Sequence, residues 1–196
     1  MPSSCPFAVS DGTSPPAVQT PTFVSELENP EAKQKMKNEM ARLTERQKTI
    51  YKETFPVIFS SAKQNGLVLF ANYFSEHPHY KNIWPQFRSL QDSALIASNE
   101  LASHASVYMC GLKEIIEVMD DNERLTFFMA RIARSHVKWN INKYHITNMV
   151  PGVEAVLKRC FGPQVDPEIV EAWRVLYDVI GNLLDIQKKL VVRRLF

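Results

Sequence analysis

Two neighbouring stretches constrain the fold most, because each spaces its apolar residues at helical steps and each carries a histidine on the apolar side. Between Ser93 and Met119, Leu101, Tyr108, Leu112 and Ile115 recur at steps of three, four and seven, and His104 shares their face. Asp120-Asp121-Asn122 supplies a corner and an N-cap. Leu125, Phe128, Met129 and Ile132 then mark the buried side of a second helix, and His136 continues that row. Such faces normally exclude histidine, whose ring nitrogens need partners and whose charged form is costly to desolvate. His104 lies 17 residues before Asp121 and His136 lies 15 after it. At about 1.5 Å per residue both rings stand roughly 20–25 Å from the corner.

If the two helices diverge from that corner, the imidazoles face each other across a flat ligand. Haem suits such a gap, since its iron accepts an axial imidazole and its macrocycle needs aliphatic and aromatic walls. Phe70, Trp84, Phe87, Tyr108, Ile132 and Ile141 are the candidate walls. The alternative is a plain helical bundle in which each histidine bonds a backbone carbonyl, and periodicity leaves both readings open.

The remaining chain reads as all-α, with six to eight helices and no strand alternation or internal repeat. Residues 1–30 hold six of the 12 prolines among Ser and Thr, which predicts a flexible extension before a domain at 31–196. The charges from Glu31 to Arg42 suggest a short solvated helix, and Thr44 with Gln47 forms a capping box that starts another, carrying Ile50, Phe55, Val57 and Ile58. Gly66 begins an apolar stretch, Leu67 to Phe74, that ends at His77-Pro78. A turn follows through Trp84, Pro85 and Phe87. Ile146 to Phe161 reads as one helix kinked at Pro151-Gly152. Asp166-Pro167 opens the last, which reaches about Val192 and carries Trp173, Leu176, Tyr177, Ile180 and Leu184.

Lys and Arg number 23 against 21 Asp and Glu, and the basic residues are scattered, which argues against a nucleic-acid surface. Cys5, Cys110 and Cys160 lack close pairing and read as free thiols in a reducing compartment. With no leader pattern, no long apolar run and no lipidation motif, the expectation is a cytoplasmic protein without integral membrane association.

Read together, the intervals are more specific. Phe74-x-x-x-Pro78, Trp84, Phe87, His104, Ser135-His136 and Ile141 form a series that resembles the globin family over residues 44–192. Gly66 and Ala105 add a pair of small residues where that family crosses two helices closely. The length and extension look most like invertebrate, nematode-type members. The resemblance implies a globin fold around one haem b, with His136 as proximal iron ligand and His104 on the distal side. Ser135 or the Ile132 carbonyl is then the acceptor that orients His136.

The implied partners are diatomic gases (oxygen, carbon monoxide, nitric oxide), together with a redox partner. Three features depart from the family pattern. Trp84 stands where phenylalanine is usual, Tyr108 occupies a position usually small and branched, and Pro151 lies inside a helix. Phe70 also falls where many invertebrate members place tyrosine, so no hydroxyl is offered there to a gas. His104 then either holds the gas by a hydrogen bond or binds iron itself, and the second reading implies six-coordinate haem in redox or signalling work, as in neuroglobin-like members. A haem enzyme, either a dioxygenase or a peroxidase, lacks the reductase segment or distal arginine it needs. From another class, a cofactor-free helical regulatory interaction module remains the competing reading. Arg88 and Lys143 are the basic residues considered for the haem propionates, with solvated surface charge as the alternative.

Overall fold

The computed structural model describes residues 29–137 and 139–192. The proposed extension up to residue 28, with Cys5, lies outside the described residues. Among the described residues the secondary structure is entirely helical. The helices are α1 (Pro30–Met40), α2 (Glu45–Phe59), α3 (Ala62–Glu76), a 3-10 helix (Pro78–Ile83), α4 (Pro85–Arg88), α5 (Asp92–Ile96), α6 (Asn99–Glu117), α7 (Asn122–Val137), α8 (Lys143–Thr147), α9 (Val150–Phe161) and α10 (Pro167–Val192). Seven of these are long (α1, α2, α3, α6, α7, α9 and α10), within the expected six to eight, while α4, α5 and α8 are single turns.

Local chemistry sets most boundaries. Thr44 and Gln47 form the reciprocal capping box at the start of α2. Asp121 accepts from the amides of Glu123 and Arg124 to start α7, and Asp166 accepts from Glu168 to start α10. Ser98 caps α6 through the Leu101 amide. Helix α3 ends at His77, directly before Pro78.

Three expectations need correction. The solvated first helix is amphipathic: Ala32, Met36 and Met40 are buried, and α1 packs on α10. The kinked helix from Ile146 is two helices. Pro151 sits in the first turn of α9, where its missing N–H leaves no bond unmade, so it begins a helix instead of bending one. The free-thiol reading fails at Cys110, which is disulfide-bonded, so it no longer argues for a reducing compartment; Cys160 is a free thiol. No helix among the described residues is long and apolar enough to cross a membrane.

Two close crossings hold α3 in place. A Cβ built on Gly66 lies 3.0 Å from the Ala105 Cβ, so α3 and α6 approach at the pair of small residues expected from the sequence. On the other side α9 meets α3 at Gly152, which rests on the backbone of Leu69. Helix α10 packs along α7 and α8, and α6 and α7 spread apart from the corner at Asp121, leaving a cleft between them.

Candidate functional site

His136 lies in the last turn of α7, one turn beyond Ile132. Its Nδ1 is 2.7 Å from the Ile132 carbonyl oxygen and 3.0 Å from Ser135 Oγ, and the serine hydroxyl itself donates to that carbonyl at 2.7 Å. A carbonyl oxygen only accepts, so Nδ1 carries the proton and Nε2 keeps its lone pair. Burial lowers the ring's pKa, while the bond to the carbonyl works against that shift. The result is a neutral imidazole of one tautomer and one orientation, which is what a metal requires of histidine.

His104 stands on α6 across the cleft. Its ring centroid lies 5.1 Å from that of Phe70 and 5.3 Å from that of Trp84. Burial among these rings, with a smaller contribution from His136, lowers its pKa to about 4, and burial lowers that of His136 too, so both imidazoles are neutral at pH 7. Each histidine is therefore available as a lone-pair donor from its own side of the same space.

The cleft measures about 940 Å³ with its open mouth included, and its lining contains no charged side chain. Of the residues expected from the sequence, Phe70, Trp84, His104, Tyr108, Ile132, His136 and Ile141 line it together. Phe87 does not. It is fully buried behind the wall, its ring 5.7 Å from Trp84 and 6.1 Å from His104, and it supports the lining from the core. Arg88 donates to the Asn82 carbonyl and Lys143 pairs with Asp178, and neither lines the cleft.

Sequence reasoning missed part of the lining. Tyr177 and Ile180, read only as core of the last helix, line the cleft, as do Tyr73, Met149 and His145. The signal for His145 was its spacing from Asn142, whose backbone amide donates to His145 Nδ1 at 3.0 Å in a capping box. Gly111 was detectable as a glycine inside an apolar helix; a Cβ there would meet no atom within 4 Å, so the residue opens the cleft and relieves no clash. Tyr108 departs from expectation in its polar end. Its hydroxyl is hydrogen-bonded to that of Tyr177, and burial holds both phenols well above their usual pKa.

These residues fit haem on three counts. Two imidazoles lining the same space are the kind of donor a planar macrocycle leaves to the protein, the walls are apolar and aromatic, and the His136 ring already has an acceptor that orients it.

Comparison with known proteins agrees with this geometry. The family description Globin matches residues 67–184. Cytoglobin-2 of Danio rerio is 22% identical over 136 residues, covering 68% of this chain and 76% of its own length. Globin-2 B chain of Anadara inaequivalvis is 28% identical over 135 residues, covering 68% and 87%. Among solved structures, a double mutant of myoglobin from Aplysia limacina superposes with a TM-score of 0.64 at 18% identity, covering 72% of this chain and 96% of that one, a likeness of fold.

Proposed function

The chain belongs to the globin family, and we propose that its cleft holds haem b through Nε2 of His136 and serves the reversible binding of diatomic gases. Members of this family bind haem b, which supplies an iron centre that takes up a gas molecule and changes oxidation state. The observation that carries the reading is the bond from His136 Nδ1 to the Ile132 carbonyl, because it presents the other nitrogen to an apolar cleft shared with a second imidazole.

The finer part of the proposal concerns His104, which binds the metal directly when no gas is present. Three observations support it. The ring is neutral, Phe70 brings no hydroxyl to its side, and the Tyr108 hydroxyl is already bonded to Tyr177. His104 then competes with any entering gas and lowers its apparent affinity by the fraction of sites it holds. It also gives both oxidation states the same pair of imidazoles, which favours electron exchange with a redox partner over bulk gas carriage.

The test is an absorption spectrum of the haem-loaded protein, reduced and free of gas. Low-spin bands that become high-spin in His104→Leu are expected. A high-spin spectrum in the unsubstituted protein would refute direct binding by His104, and a chain that stayed colourless with added haemin would refute the haem reading itself. A colourless chain would favour the helical interaction module.

A further inference from the structure

We infer that Lys188 is a positioning residue for His136: from α10 it clamps the corner that follows the histidine, so that the imidazole plane keeps one orientation. This rests on the reading of His136 as the axial ligand.

Residues 139–142 wind back onto residue 136. The amides of Trp139 and Ile141 approach the His136 carbonyl at 3.1 and 3.4 Å, and Asn140 adopts a left-handed φ of 52°. A corner built this way moves together with the backbone that carries the imidazole. Lys188 grips it from a helix 47 residues away from Ile141 in the chain: its Nζ donates to the Ile141 carbonyl and to Asn142 Oδ1, each at 2.5 Å. Ile141 itself lines the cleft. Nearby, Asp185 on the same helix accepts from the Lys143 amide at 3.1 Å, so α10 holds both ends of the corner's exit.

The position of the ammonium needs a reason. Lys188 is 9% exposed, whereas its neighbour Lys189 is exposed. Burying a cation is unfavourable unless it gains partners that no apolar side chain would satisfy. Here the partners are two oxygens of the corner. Without the lysine, the Ile141 carbonyl loses this donor, and the segment tied to the His136 carbonyl is free to shift by the few tenths of an ångström that tilt an imidazole.

The experiment uses full-length protein loaded with haemin as the ferric cyanide complex, in which cyanide replaces His104 and only His136 remains as a protein ligand. The spread of the paramagnetically shifted haem methyl resonances reports the orientation of that imidazole plane, and transfer of haem to an excess acceptor protein reports its hold. Lys188→Met should change the methyl pattern and speed haem loss at least about tenfold, the order expected when a partner outside the ligand set is lost. Lys188→Arg should restore the pattern, and the exposed control Lys189→Met should match the unsubstituted protein. If Lys188→Met does not fold, Lys188→Gln, which keeps a donor of shorter reach, carries the same comparison. A lowered melting temperature with an unchanged methyl pattern would show Lys188 to be structural only and sink the inference alone. Failure of the unsubstituted chain to take up haem would sink the haem reading beneath it.

Discussion

A Cβ placed on Gly152 would lie 2.6 Å from the carbonyl oxygen of Leu69, so the backbones of α9 and α3 touch at that point. At Gly66 the nearest atoms are the Ala105 Cβ and carbonyl oxygen at 3.0 Å and the flexible Met109 side chain at 3.2 Å. Alanine at 152 pushes against backbone, which cannot swing aside. Gly152→Ala should therefore cost about 1–3 kcal/mol and Gly66→Ala less, read as unfolding free energies in denaturant. Equal stability of Gly152→Ala and the unsubstituted protein would contradict this crossing.

Removal of the orienting acceptor and removal of the ligand should separate cleanly. His136→Gly should weaken haem binding by more than the about 10–100-fold that follows loss of an outer partner. Added imidazole, which supplies the missing lone pair, should restore it. Ser135→Ala should have a small effect, since the Ile132 carbonyl stays 2.7 Å from Nδ1. Haem titration followed at the main absorption band checks all three.

Tyr108 and Tyr177 share one buried hydrogen bond, so they should behave as a unit. Phenylalanine at either position leaves a buried hydroxyl unpaired and should cost about 1–3 kcal/mol. The double substitution removes both hydroxyls and should cost clearly less than the sum. A second effect is expected in Tyr177→Phe alone: the Tyr108 hydroxyl, released on the cleft wall, gains the freedom to donate to a bound gas and slow its departure. Flash photolysis and a double-mutant cycle in denaturant measure the two effects.

His145 makes stability depend on pH. Its folded-state pKa is lowered to about 4, first by burial and then by the positive Lys188, while the unfolded value stays near 6.5. Between those values the unfolded chain binds more protons than the folded one, so stability is fully present above about pH 6.5 and is lost as pH falls toward 4. The loss should be about 1–3 kcal/mol. His145→Gln keeps an acceptor for the Asn142 amide but does not titrate, and should reduce the slope across that window in haem-free protein, leaving the part that the buried His104 and His136 contribute. An unchanged slope would rule His145 out as its source.

Much of the architecture was legible before any coordinates. Thr44 with Gln47, Asp121 and Asp166-Pro167 are helix starts whose chemistry lies within a few residues, and they form as their sequences imply. The rows that carry His104 and His136 are equally local, because helical periodicity alone puts each histidine on its apolar face. Phe87 shows the limit. An aromatic residue beside Trp84 reads as wall or as support alike, and only the direction of the short helix α4 puts it behind the lining.

The sequence by itself determined most of the long helices, the caps at Thr44, Asp121 and Asp166, and the apolar faces that carry the two imidazoles, because these depend on neighbours within one or two turns. The tertiary structure alone decided which distant groups meet: Tyr108 with Tyr177, Gly152 with Leu69, and Lys188 with the corner after His136. Each of those contacts joins segments far apart in the chain, and their partners are selected by the packing of whole helices, which no local pattern of residues encodes.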